Sequence, residues 1–450
     1  MRYAAERSAG GGSAVSFDSI TIVEDRPAIP GYDKRVSIVR SLGAEVVEAP
    51  DSSALEALVG GATLVVPSPG VPRSHAVYEI AARMNVPVLS EIELAGEAAI
   101  RLGRPIVAVT GTNGKTTVTT LITEMLIASG IRAVSAGNIG RPLIDAIHDS
   151  VDVVVAEVSS FQLAYTEGFR PRVGVLVNIA PDHQDWHSSF ADYVEAKARI
   201  FANQSGEDLL VRNIDDPTVT EASLTAPARV VGCSLDPARS GAWRVVDGLL
   251  VTADDDPIVR VDELSRSAPH DLMNSLLAGA AAAAMGAGAS GIKQALVAFR
   301  GLPHRVTFVG EAGGVRFYDD SKATNPHATL HALDGFGSAV LIAGGRNKGL
   351  DLSALAQGAS RLRAVVAIGE AAGEVEAAFS DVCPVFHASS MGEAVAVAAE
   401  QAIPGDAVLL SHACASFDWY SSYSERGNDF ASEVRRILQV GVTSITGDER

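Results

Sequence analysis

Short apolar runs, each cut off by glycine, proline or a polar turn, recur along the chain and alternate with stretches of helical period. Runs this short and rich in valine and isoleucine predict strands buried on both faces, and the helices between them predict parallel crossovers. The first group lies at 20–23, 45–47, 64–66 and 88–89 and closes with a helix-like 91–98. The second lies at 106–109, 153–156, 173–177 and 209–211, with a helix over 276–285. Gly301-Leu302-Pro303 is a breaker, and the third group follows it at 315–318, 340–343, 365–368 and 408–410. The pattern predicts an α/β protein of three domains, 1–98, 99–302 and 303–450, without internal repeats.

Composition narrows the function classes. The 450 residues suffice for three cores, and 47% hydrophobic with 20% charged residues is the balance of a soluble globular protein. A net charge of −18 argues against nucleic acid or an anionic membrane as partner, though a small anionic substrate needs only a locally basic cleft. Cys233, Cys383 and Cys414 are scattered without metal-type spacing, which points to a reducing cytoplasm. Residues 1–16 lack the apolar core of a signal peptide, and the apolar 276–289 is too short to span a bilayer.

The sharpest motif is Gly111-Thr112-Asn113-Gly114-Lys115-Thr116-Thr117 behind the strand at 106–109. Its glycines let backbone N–H groups turn onto phosphate oxygens, Lys115 brings a charge to them, Thr116 can ligate Mg²⁺, and the following helix directs its positive end at the anion. Val109 stands where the usual pattern has glycine, so this is a variant phosphate loop. Glu157 ends the strand at 153–156, where such folds place a second Mg²⁺ contact. His183, after the strand at 173–177, reads equally as a solvated residue and as a metal or phosphate ligand. Lys197 falls on the apolar face of a helix over 192–204, with Val194, Ile200 and Phe201. Periodicity alone makes it a snorkelling lysine; as a carbamate it would be a carboxylate able to ligate Mg²⁺. Polar loops at 318–325, 344–349 and 411–416 follow three strands of the third segment and predict a substrate rim.

Together these residues resemble the Mur ligase family over nearly the whole chain, from residue 20 to residue 438. GTNGKTT at 111–117 is shared with folylpolyglutamate synthetases; NIAPDHQDWH at 178–187, YVEAKARIF at 193–201, YDDSKATNPHAT at 318–329, IAGGRNKGLDL at 342–352 and ACASFDWYSSYSERGNDF at 413–430 are more discriminating. The resemblance implies a Rossmann-like N-terminal domain binding a UDP-linked substrate, a central ATP-binding domain with a mainly parallel sheet, and a Rossmann-like C-terminal domain binding an amino acid. It further implies ATP-driven addition of D-glutamate to UDP-MurNAc-L-Ala through an acyl phosphate, in cytoplasmic peptidoglycan precursor synthesis. The Asp-Asn-Pro-Arg motif of the branch that adds diaminopimelate or lysine is absent.

Residue by residue, the resemblance implies that Gly111 to Thr117 hold ATP together with Asn274, Arg305 and Asp320. Thr116 and Glu157 would bind one Mg²⁺, and His183 with carbamylated Lys197 a second. Asn138 would touch both substrate and nucleotide. Lys115, Asn138, His183 and Lys197 form the catalytic set. Thr324, Lys348, Ser416, Phe417 and Tyr423 match D-glutamate positions, and Asp25, Arg26, Ser68, Pro69 and Gly70 match uridine and diphosphate positions. A monomer with small-molecule partners and no membrane insertion is expected.

Three departures stand out. Residues 1–17 hold Gly10-Gly11-Gly12 but no apolar strand before it, so the first βα unit is expected to be missing or degraded, leaving weak UDP binding or an uncovered sheet edge. His412 replaces a usual proline, and Asp271, in place of a usual asparagine, is expected to weaken adenine contacts. The alternatives are a sibling ligase with another amino acid and an inactive nucleotide-binding scaffold; a GTPase is disfavoured because no guanine-reading Asn-Lys-x-Asp is present.

Overall fold

The computed structural model describes residues 19–25, 32–184 and 186–445, with side chains through 439. Arg26 and the region of the expected missing βα unit lie outside the described residues.

The valine-rich strands Ile106–Thr110 and Val153–Glu157 are buried at every position, as the absence of polar alternation requires. They sit near one end of a nine-stranded sheet, ordered Pro257–Arg260, Leu249–Val251, Trp243–Val246, Arg229–Ser234, Leu209–Asn213, Val173–Leu176, Ile106–Thr110, Val153–Glu157, Ala133–Gly137. Seven neighbouring strands are parallel, and Leu249–Val251 and Pro257–Arg260 add an antiparallel edge. Helices Lys115–Ala128 and Pro269–Ala284 cover one face through Leu121, Met125, Leu276 and Leu277. The Ala/Gly-rich sequence of the second helix serves close packing: a Cβ on Gly279 would come 2.7 Å from the Trp243 ring.

A second sheet of six strands runs Thr307–Ala312, Val315–Asp319, Ala407–Ala413, Ala339–Gly344, Leu362–Ile368, Val385–Ala388, parallel except at its first pair. The carboxyl ends of Val315–Asp319, Ala407–Ala413 and Ala339–Gly344 are therefore adjacent, which gathers the three polar loops on one rim. The first segment is slighter. Thr21–Glu24 pairs in parallel with Glu45–Glu48, and neither strand has a fully buried residue. The runs at 64–66 and 88–89, expected as strands, make only the single bridge Val65–Val88. Pro67, Pro69 and Pro87 supply no N–H to extend it. Among the described residues no helix is long and apolar enough to cross a membrane.

The expected boundary at residue 98 falls inside the helix Glu91–Arg101 and is corrected by its packing. Ile92, Ala95, Ala98 and Ala99 belong to the core on the other face of the central sheet, with Phe169, Tyr193 and Phe201. Glu93, buried, accepts backbone N–H bonds from Glu167, Gly168 and Phe169 at 3.0, 2.7 and 2.9 Å. Glu93→Ala removes the acceptor of the buried Phe169 N–H and of the more exposed Glu167 and Gly168 N–H groups, so urea unfolding followed through the core residue Trp243 should show a loss of about 2 kcal/mol. An unchanged midpoint would mean this helix is dispensable to the central sheet.

Candidate functional site

The strand Ile106–Thr110 delivers the phosphate loop to the helix Lys115–Ala128. Val109 is fully buried and paired as a strand residue, so the glycine-bearing turn starts only at Gly111. Gly114 caps the helix at φ +80°, a conformation open to glycine, and a Cβ there would lie 2.6 Å from Asn274 Oδ1. The side-chain oxygen of Asn178 accepts the N–H groups of Thr112 at 3.1 Å and Asn113 at 2.8 Å. Asn178 thus shapes the loop from a neighbouring strand end. It opened the motif at 178–187 but carried no role in the sequence reading.

Two lysines converge beneath the loop. Lys115 Nζ donates to the carbonyls of Gly111 and Thr112, both at 2.9 Å, and Lys197 Nζ donates to the same Gly111 carbonyl at 2.8 Å. Lys197 is 1% exposed and lies over the Tyr193 ring, which rules out the snorkelling reading. Burial, and then the neighbouring Lys115 charge, push its amine well below the ordinary lysine value; burial also lowers Lys115. Glu157, buried at the strand end, accepts from Asn138 Nδ2 at 2.9 Å through Oε1, while its Oε2 is buried without a partner. Asn138 reaches it because Gly137, at φ +99°, has no Cβ to strike the Glu157 carbonyl 2.3 Å away.

His183 takes φ +53°, with its ring edge-on to Phe161 at 4.6 Å. Burial, aided by Lys348, Lys115 and Lys197, pushes its imidazole down to about 3 against the pull of Asp182, so it is neutral at pH 7 with a lone pair to offer. Asp182, also buried, accepts from Lys348 Nζ at 3.0 Å and Asn325 Nδ2 at 2.8 Å. Burial works against its ionisation, but the Lys348 and His183 fields and these hydrogen bonds hold it below the ordinary carboxylate range. Lys322 Nζ donates to Thr116 Oγ1 at 3.0 Å, and burial lowers it to about 8. Asp182, Lys322 and Asn325 were missed as site residues; each lay inside a quoted motif, but only the docked domains show its partner.

A cavity of about 640 Å³ opens beside the phosphate loop, lined by Asn113, Gly114, Thr117, Asn274 and Arg305 among others. Arg305 keeps its Nε buried and unpaired. Asp320 is not among the lining residues: it accepts from Ser411 Oγ at 2.8 Å, and burial pushes it up to about 7. Asp271 does line the cavity, but its carboxylate takes Arg266 Nε at 3.1 Å, so the acid does not stand uncompensated near the nucleotide positions. His412 is fully buried with neither ring nitrogen partnered, and burial holds it far down, as a neutral ring.

The D-glutamate candidates assemble on the rim. Arg346 and Ala415 exchange backbone hydrogen bonds at 2.9 and 3.0 Å, which joins the two loops that carry Lys348 and Ser416, and Lys322 lies 5.6 Å from the Tyr423 ring. Buried Arg426 ties the rim together, donating to the Ser321 and Cys414 carbonyls. Thr324 is half-buried, Ser416 buried and Phe417 exposed. In the first segment, Asp25 pairs with His75 at 3.1 Å, and Ser68-Pro69-Gly70 is an exposed turn closed by Val71 N–H on the Ser68 carbonyl. Arg73 binds Asp192 at 2.6 Å and lies over Trp186, and Tyr78 stacks on Tyr165, so this segment docks on the His183 side.

Among the described residues no three His, Cys, Asp or Glu side chains surround a common point. A hard cation here would be held by few protein oxygens together with phosphate and water, the habit of Mg²⁺. The orphaned Glu157 Oε2, the Thr116 hydroxyl and the neutral His183 fit that donor set. Asn178→Ala removes the acceptor for the Asn113 N–H and leaves Thr112 N–H only the Asn178 backbone carbonyl, and titration with a fluorescent ATP analogue should show about fivefold weaker binding at an unchanged fold.

Two family models match this chain: the Mur ligase middle domain over residues 109–282 and the Mur ligase, glutamate ligase domain over 304–414. Curated relatives named UDP-N-acetylmuramoylalanine–D-glutamate ligase include one from Pelotomaculum thermopropionicum, 44% identical over 84% of both chains. Another, from Frankia casuarinae, is 44% identical over 92% of this chain and 88% of its own. Solved structures of the same fold include UDP-N-acetylmuramate-alanine ligase from Thermotoga maritima, with TM-score 0.56, 17% identity, and 93% and 99% of the two chains covered. A MurF ligase from the same organism in complex with ADP gives TM-score 0.59, 18% identity, and 84% and 99% covered.

Proposed function

The chain belongs to the Mur ligase family, and from that premise we propose that it joins D-glutamate to UDP-N-acetylmuramoyl-L-alanine, driven by ATP, as a step of peptidoglycan precursor synthesis in the cytoplasm. The observation that carries the reading is the meeting of two cationic rims. Lys115 and Lys197 lie under the phosphate loop, Lys322 reaches its Thr116 from the domain opposite, and Lys348 from the same domain reaches Asp182 beside His183.

The reaction needs charge neutralisation and positioning more than a protein nucleophile. The L-alanyl carboxylate attacks the γ-phosphorus, ADP leaves, and an acyl phosphate forms. The D-glutamate amine then attacks that carbonyl and phosphate departs. In this reading Lys115 and the N-terminus of its helix bind the phosphates, and Asn138, held by Glu157, orients substrate against nucleotide. Asn274 and Arg305 take the nucleotide in the cavity, with Asp320 contributing from behind through its own loop. The side-chain carboxylate of D-glutamate exchanges with Asp182 as the partner of Lys348, with Thr324, Ser416, Phe417 and Tyr423 around it. Asp25, Ser68, Pro69 and Gly70 receive the UDP end.

Lys197 is suited to carbamylation because burial favours its neutral amine. The amine lone pair bonds to the carbon of CO₂, a proton leaves to solvent, and a carboxylate results. Thr116 and Glu157 would hold one Mg²⁺ and His183 with the Lys197 carbamate a second, and the ions would supply charge neutralisation to the reaction. We divide the working chain at about residue 90 and at the Gly301–Pro303 hinge, as a monomer that closes around its substrates.

Phosphate release from the purified chain should require ATP, Mg²⁺, UDP-MurNAc-L-Ala and D-glutamate together. Release without D-glutamate, or with L-lysine or diaminopimelate in its place, would overturn the assignment. Lys197→Ala should lose at least about a hundredfold in turnover, and enzyme stripped of CO₂ should regain activity with bicarbonate; full activity in CO₂-free buffer would rule the carbamate out.

A further inference from the structure

Two histidines one turn apart on the helix Pro326–Leu333 line the nucleotide cavity, and the reaction above uses neither. His327 Nδ1 lies 2.9 Å from the side-chain nitrogen of Asn113 in the phosphate loop. His327 Nε2 lies 3.1 Å from His331 Nε2, with ring centroids 4.2 Å apart. An amide nitrogen only donates, so His327 Nδ1 accepts and the His327 proton sits on Nε2. His331 Nε2 must then accept, which places the His331 proton on Nδ1, toward Asp334 at 4.0 Å. Asn325 supports this amide orientation. Its Oδ1, fixed by accepting the Ala328 N–H at 2.8 Å, lies 3.4 Å from the same Asn113 nitrogen. The hydrogen bonds thus run one way across the cleft, from the phosphate loop into the third domain, and both rings must be neutral.

We propose that His327 and His331 are positioning residues of the nucleotide site: a relay that fastens the phosphate loop to the third domain through Asn113 and lets go when it takes up a proton. It rests on the ATP reading of this cavity. An added proton has no place in the closed relay, because on His327 Nδ1 it meets the Asn113 amide hydrogens and on His331 Nε2 it meets the His327 N–H.

The surroundings agree in sign. Asp182 faces His327; Asp216, Asp334 and His270 face His331; and His270 has Asp271, Arg266 and Arg305 about it. The acids favour protonation, but burial outweighs them and lowers all three rings, His327 from 6.5 to about 4. The neutral form supports closure, so the contribution is complete above about pH 6.5 and fades as pH falls toward 4.

The test is calorimetric binding of a non-hydrolysable ATP analogue with Mg²⁺ to the full chain at pH 7.5 and 5.8, with thermal melts at each pH to verify folding. From pH 7.5 to 5.8 the wild type should lose about fivefold more affinity than His327→Leu, which binds more weakly at pH 7.5. His331→Leu, at a ring whose side chain is 42% exposed, should show an intermediate pH dependence. Comparing variants cancels Asp320, which titrates in the same range in each. Parallel pH profiles for wild type and His327→Leu overturn the relay. Absence of nucleotide binding at both pH values overturns the relay and the cavity reading together, whereas loss of D-glutamate turnover alone leaves the relay standing.

Discussion

One carbonyl oxygen, that of Gly111, receives the ammonium groups of both Lys115 and Lys197. Two positive charges meeting there repel, and a buried site screens them less than water does. Neither is paired directly with a carboxylate at this oxygen, and both are lowered by burial. The strain resolves by giving up a proton at Lys197, whose amine burial and the Lys115 charge both lower, or by bringing in negative charge. A phosphate on the loop does the second, and a carbamate on Lys197 does both at once. Glu157, with its unpaired oxygen, and the neutral His183 ring are arranged around the same problem. The site is built to be electrostatically complete only when anions occupy it.

The same logic governs the joint between domains. The contacts across it are polar and exchangeable: Lys322 on Thr116, Lys348 and Asn325 on Asp182, His327 on Asn113. Polar contacts of this kind hold weakly enough to open and give each lysine a partner that an anionic substrate can replace. Asp182 is a carboxylate, so under the proposed function a D-glutamate side chain would compete with it for Lys348. Gly301 lies between the two sheets at φ +100°, a conformation open to glycine.

Local pattern was enough for the phosphate loop, for the central buried strands of both large sheets and for placing three polar loops at strand ends, because each depends on runs of a few residues. The more exposed strands, such as Ala133–Gly137, Thr307–Ala312 and Val385–Ala388, were not expected because their runs are less apolar. It was not enough where partners come from elsewhere in the chain. The runs at 64–66 and 88–89 have strand composition, but proline neighbours leave them one bridge. The helix Glu91–Arg101 looked like the end of the first segment because its period says which face is apolar and not which sheet it covers. Lys197 was placed on the right face, yet choosing between snorkelling and burial required knowing that Phe190–Ala202 lies flat on the central sheet. Asn178, Asp182 and Lys322 stood inside recognised motifs, and their roles emerge only from contacts that span 66, 166 and 206 residues. Asp271 looked like an acid beside the nucleotide; Arg266, five residues earlier, removes the difficulty.

The net charge of −18 and the cationic cleft belong together. A strongly acidic surface disfavours nucleic acids and anionic membranes, while Lys115, Lys322, Lys348 and Arg305 concentrate positive potential where low dielectric walls focus it. Selection among anions then falls to geometry: a small anion can enter the cleft, and a polyanion too broad to enter meets the acidic exterior instead. The lowered values of Lys115, Lys197 and Lys322 reflect the desolvation cost of keeping this cleft closed without such a ligand. Binding therefore stabilises the closed arrangement beyond its own contacts, because it returns a favourable environment to charges the fold has already withdrawn from water.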